Sequence, residues 1–188
     1  MNLNFESVEG ALRDGLLSFP VTDMDEKGQF NPATFSDRLE WFVGHGVSAV
    51  FVAGGTGEFF SLSREEYGQI VNVSTKTIQG RVPTISSIGR SIPEAIDFAH
   101  MAEEAGIDAL LLMPPYLTEC PEDGLYEYAK TIIHNTKLPV IYYNRANGTL
   151  SCGQVKKLTK ACPNLIGFKD GTGNIQELND IIKTIGDR

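Results

Sequence analysis

The sequence is poor in the features that mark secreted, metal-centred, membrane or nucleic-acid-binding proteins. Its three cysteines (Cys120, Cys152, Cys162) are odd in number, far apart and without CxxC spacing, which excludes a disulfide framework and a thiolate zinc site and points to reduced thiols. His45, His100 and His134 stand singly, with no paired-ligand spacing, so no metal is expected. No apolar run approaches the roughly 18 residues of a membrane span. The first residues lack a basic segment followed by an apolar core and a small-residue cleavage site, so a cytoplasmic location is expected. Basic stretches are absent too. With a net charge of −8, nucleic acid and anionic membrane are unfavourable partners, although backbone dipoles can still bind a small anion locally.

What is present is the composition of a soluble globular chain: 188 residues, 41% hydrophobic and 21% charged, read as one domain. After a mixed lead-in over 1–14, short apolar runs alternate with helical patterns. The runs are Gly15-Leu16-Leu17-Ser18-Phe19, Ala49-Val50-Phe51-Val52, Thr84-Ile85-Ser86-Ser87-Ile88, Ala109-Leu110-Leu111-Leu112-Met113, Val140-Ile141-Tyr142-Tyr143 and a last one from Leu165 to Lys169. Between them lie a loop over 23–31 and helices opening at Pro32, at Ser63-Arg64-Glu65-Glu66 and at Ser91-Ile92-Pro93-Glu94, the last two with capping-box spacing. Further helices are expected over 123–134, 155–161 and 175–185.

Apolar strands without alternation, each followed by a helix, imply a parallel sheet covered on both faces. Gly46-Val47-Ser48-Ala49-Val50-Phe51-Val52 is echoed by Gly106-Ile107-Asp108-Ala109-Leu110-Leu111-Leu112, and Val82-Pro83-Thr84-Ile85 by Leu138-Pro139-Val140-Ile141, as a repeated unit would require. Units of about 30 residues, eight of which make a barrel of about 250, fit a (β/α)8 barrel. An open six-strand sheet is the alternative. The expectation is an α/β (β/α)8 TIM barrel of which this chain carries about the first six units, a single C-terminally incomplete domain over 1–188.

Sites in such folds lie at the carboxyl ends of strands. Lys169 ends the sixth run, where a lysine is either a reactive amine or one that snorkels to solvent. Gly54-Gly55-Thr56-Gly57-Glu58 leaves the second strand; it suits an anion cradle or a plain tight turn, and has neither the Walker A nor the GxGxxG pattern. Tyr142-Tyr143-Asn144-Arg145 leaves the fifth, adjacent to the sixth in a barrel. Together they offer an anion cradle, a phenol and an amine that a low-dielectric site would deprotonate and let condense with a ketone.

Gly-x-x-Gly-Glu after the second strand, Tyr-Asn after the fifth and Gly-Phe-Lys-Asp in the sixth resemble the dihydrodipicolinate synthase/N-acetylneuraminate lyase family. The resemblance runs from about Leu16 onward and implies a (β/α)8 lyase acting on an α-keto acid through a Schiff-base lysine. It makes Lys169 the covalent residue, Tyr143 the proton relay, and Gly55 with Thr56 the carboxylate binders, with Arg145 a further substrate contact. Longer strings, among them residues 15–22, 53–62 and 163–171, resemble a branch that dehydrates and decarboxylates a keto-acid sugar. The chain departs from the synthase branch, which has a hydroxyl residue where Gly55 stands, a second tyrosine where Leu117 follows Tyr116, and an arginine at longer spacing than Arg145. The resemblance implies a small-molecule keto-acid substrate, no cofactor (neither metal, thiamine nor pyridoxal) and a homo-oligomer, a homotetramer built as a dimer of dimers.

Overall fold

A computed structural model describes residues 5–115 and 119–186; Tyr116 and Leu117, where the departure from the synthase branch was noted, lie outside the described residues. Helix α1 (Phe5–Arg13) leads into strand β1 (Leu17–Ser18), then α2 (Pro32–Gly44), β2 (Ala49–Val52), α3 (Arg64–Ile78), β3 (Thr84–Ile88), α4 (Ile92–Ala105), β4 (Ala109–Leu112), α5 (Glu122–His134), β5 (Val140–Asn144), α6 (Cys152–Ala161), β6 (Leu165–Asp170) and α7 (Ile175–Ile185). The strands form one sheet in the order β1-β2-β3-β4-β5-β6, parallel at every pairing.

The local chemistry explains the boundaries. Ser63 and Ser91 each accept an N–H from the third helical residue while Glu66 and Glu94 reach back, completing both expected capping boxes. Asn31 and Ser151 cap α2 and α6 through their side chains alone, and the Ser151 cap starts α6 earlier than the apolar spacing from Val155 suggests. The sequence echo has a backbone cause: Gly46 and Gly106 follow α2 and α4 at φ of 75° and 84°, conformations that glycine adopts without strain. Two details differ from expectation. The first strand is only two residues, cut short between Gly15 at φ 118° and Pro20. The loop over 23–31 folds back on itself through an antiparallel bridge between Met24 and Phe30.

Strands β2, β3 and β4 are buried at every residue, as helices on one face and a filled interior on the other demand. Pairing fixes which residues share a face. Phe51 pairs with Ile85, Ser87 with Leu111, Leu111 with Ile141 and Tyr143 with Lys169, and this set points to the concave side. The opposite set meets the helices, as the Tyr67–Ser86 hydroxyl contact at 2.9 Å shows. The sheet curls far enough that Phe19, just past β1, reaches Lys169 on β6. A cleft of about 600 Å³ runs between these two edges, lined by Leu12, Leu17, Phe19, Ile166, Phe168 and Ile182 among others. This is an open barrel of six strands.

Candidate active site

Everything that stands out chemically lies at the carboxyl ends of the strands. Lys169 sits opposite Tyr143 in the β5–β6 ladder. Its Nζ is 4.4 Å from the centre of the Tyr143 ring and 4.1 Å from that of Phe19, so the amine is held between two aromatic faces. Phe19 is itself fixed by stacking on Phe51 with ring centres 4.5 Å apart. Burial, first, and the neighbouring Arg145 charge, second, lower the Lys169 pKa below the ordinary lysine value.

Close backbone approach brings the fifth and sixth strand ends together. Gly171 donates its N–H to Asn144 O at 2.8 Å, and a Cβ there would stand 2.8 Å from the Tyr143 ring and 3.0 Å from Arg145 Cβ. Asp170 stiffens the turn beyond the lysine. Burial alone would raise its pKa, but hydrogen bonds from Thr172 Oγ1 and from the Gly173 and Thr172 amides lower it instead. Across the mouth, the glycine loop after β2 folds tightly: Phe59 N–H donates to Gly54 O at 3.1 Å, and Thr22 Oγ1 to Gly57 O at 2.7 Å. Ala53 and Glu58 flank it at φ of 48° and 57°, strain of the kind that persists where surrounding contacts over-determine the backbone.

The structure brings the sequence-predicted residues to one place. Gly55, Thr56, Tyr143, Arg145 and Lys169, with Phe19 and Leu111, line a cavity of about 450 Å³. A second cavity of about 540 Å³, walled by Glu58, Phe59, Phe60, Ser61, Met113 and Asn147 among others, shares Gly55 and Arg145 with the first. Arg145 is exposed and its guanidinium carbon lies 5.7 Å from the Tyr143 ring centre. The site is therefore two adjoining compartments, one of them holding the amine, that meet at Gly55 and Arg145. Sequence reasoning missed Phe19, which reads only as part of an apolar run, and the buried Ser87 hydroxyl, which faces the interior with no partner among the described residues. Among the described residues no group of three His, Cys, Asp or Glu could hold a metal ion, and no helix is long and apolar enough to cross a membrane.

A curved, sequentially ordered parallel sheet with a half-buried lysine at the end of its sixth strand defines a lysine-bearing protein of the (β/α)8 barrel type. The model of the dihydrodipicolinate synthetase family matches residues 13–188, and the chain belongs to that family. It is 45% identical over 181 residues to a protein of Acinetobacter baumannii (strain AB307-0294) named "Probable 5-dehydro-4-deoxyglucarate dehydratase", an alignment spanning 96% of this chain and 60% of that one. It is 42% identical over 186 residues to the 5-dehydro-4-deoxyglucarate dehydratase of Pseudomonas putida, covering 99% and 61% of the two chains. Among solved structures it superposes, with a TM-score of 0.86 and 31% identity, on the chloride-inhibited dihydrodipicolinate synthase from Acinetobacter baumannii complexed with pyruvate, covering 92% of this chain and 60% of that one. The chain thus spans about three fifths of the length of the relatives it matches.

Proposed function

We propose that this chain carries the Schiff-base site of a decarboxylating dehydratase that converts 5-dehydro-4-deoxy-D-glucarate to 2,5-dioxopentanoate, water and carbon dioxide. The observation that carries the reading is the Lys169 amine, depressed in pKa and ringed by Tyr143, Thr56 and Arg145 in one cavity. The dehydratase relatives at 42–45% identity support this choice of reaction.

In this mechanism the neutral Lys169 amine attacks the C5 ketone and water leaves, giving an iminium. The iminium acidifies C4; loss of a C4 proton and of the C3 hydroxyl makes a C3=C4 bond conjugated with it. The C1–C2 bond then breaks, carbon dioxide departs, and its electron pair flows through that conjugation to the nitrogen. Tautomerisation and hydrolysis by water release the product and regenerate the amine. One covalent electron sink serves both steps. Tyr143, beside the amine, carries protons. Gly55 and Thr56 receive the carboxylate next to the ketone, and Arg145, common to both compartments, attracts the far carboxylate.

Borohydride reduction of the full-length protein with substrate, followed by peptide mass mapping and carbon dioxide assay, tests this. Expected is a reduced adduct on Lys169 and one carbon dioxide per turnover. No adduct, or an adduct that persists in Lys169→Ala, would sink the covalent mechanism. Release of pyruvate in place of carbon dioxide would instead assign an aldolase of the same family.

A further inference from the structure

We propose that Arg90 is a positioning residue for carboxylate binding: it ties the loop after β3 to the short 3₁₀ turn that closes the glycine cradle after β2. The inference rests on the reading of Gly55 and Thr56 as carboxylate binders.

Arg90 follows β3 immediately after Gly89 and adopts φ 73°, a left-handed conformation costly for a residue with a Cβ. Its Nη2 donates to Phe59 O at 2.7 Å and to Leu62 O at 2.5 Å, and so grips the 3₁₀ turn Phe59–Ser61 at its first residue and just past its end. The guanidinium carbon stands 5.2 Å from the centres of both the Phe59 and Phe98 rings, and Nη1 is 3.8 Å from Glu94. Phe59 is the far anchor of the cradle, because its N–H holds Gly54 O at 3.1 Å. The chain of contact therefore runs from Arg90 through the Phe59 carbonyl and amide to Gly54, next to Gly55. Arg90 is not among the residues lining either compartment, so it acts through the loop and not on the ligand. The strain at Arg90 is offset by two charge-assisted hydrogen bonds and two ring faces. Both bonds come from the one Nη2 nitrogen while the planar guanidinium lies against the Phe59 and Phe98 rings, a combination that lysine's ammonium reproduces only in part.

The test uses the full-length protein and pyruvate, the simplest α-keto acid, as the probe. Borohydride trapping across a pyruvate titration gives the half-saturating concentration and the maximal adduct yield. In Arg90→Gly, which relieves the backbone strain while removing the guanidinium, half-saturation should rise about tenfold with the maximal yield kept, as loss of hydrogen bonds from a charged group implies. Low-millimolar guanidinium should bring it back towards the unsubstituted value. Arg90→Lys should fold in any case and show a smaller rise of roughly threefold, since an ammonium can still donate to these carbonyls but lacks the planar face that lies against Phe59 and Phe98. Unchanged half-saturation in the folded variants overturns the proposal, and so does a rise in Arg90→Gly that added guanidinium leaves untouched, which would mark a purely structural role. Should Arg90→Gly not fold, Arg90→Lys decides. Absence of any adduct in the unsubstituted protein would instead be a failure of the Schiff-base reading.

Discussion

Lys169 stands in an environment that opposes its charge and yet contacts two ring faces that favour a cation. Burial, first, and the Arg145 charge, second, lower the folded pKa below the ordinary lysine value. The consequence for stability has a definite sign. The unfolded chain holds this proton more tightly than the folded one, so the group destabilises the fold below its folded pKa. The penalty is relieved as pH rises through that pKa towards the unfolded value of about 10.4. Lys169→Met should therefore raise the melting temperature at neutral pH by roughly 1–4 °C for a chain of this size. The gain should shrink towards alkaline pH, and the borohydride adduct should be lost. A melting temperature unchanged at neutral pH, or a gain that grows with pH, would contradict this account. Lys169 and Tyr143 are legible in the sequence because a lysine and a tyrosine at the ends of apolar runs are conspicuous. Phe19 is not, because an apolar residue in an apolar run gives no sign that its ring will lie 4.1 Å from an amine.

At the scale of elements, the strand-end loops lock one another. After β5, a 3₁₀ turn Ala146–Gly148 accepts the buried Tyr142 hydroxyl at Gly148 O, 2.6 Å away. Gly148 lies so close to the loop after β4 that a Cβ would fall 2.0 Å from Pro114 Cβ. Gly148→Ala must push these loops apart, and overpacking of this kind costs about 1–3 kcal/mol. The expected result is a lower denaturant midpoint with an unchanged m-value. A midpoint equal to that of the unsubstituted protein would show that the loops yield without cost. The capping boxes at Ser63 and Ser91 are written locally in four residues each, which is why the sequence reveals them. The Gly148–Pro114 contact joins residues 34 positions apart and leaves no local mark.

For the molecule as a whole, the curled sheet has two unpaired edges, β1 and β6, where burial drops to partial. Large apolar side chains are uncovered here: Ile182, which lines the cleft between these edges, is 51% exposed, Leu16 just before β1 64%, and Ile175 at the start of α7 74%. Unpaired parallel edges beside an apolar cleft are sticky. The 188-residue chain on its own should bind an apolar dye such as ANS and self-associate with rising concentration in sedimentation velocity. A dye-silent, monodisperse monomer would show that the edges close by themselves.

The sequence by itself determined the succession of strands and helices, their caps and the strand-end placement of the candidate residues, because each depends on residues a few positions apart. Which face of the sheet Lys169 occupies was decided only in three dimensions. Between Val140↔Leu165 and Ile141↔Gly167 the β5–β6 ladder slips by one residue. Without that slip Phe168 would stand opposite Tyr143, and the lysine would turn to the helix side, since side chains alternate along a strand. Nothing in the apolar run from Leu165 announces the irregularity. It arises from how the two strands pair, and it sets the amine beside the tyrosine and against Phe19, just past the first strand, whose ring the curvature of the sheet brings within reach.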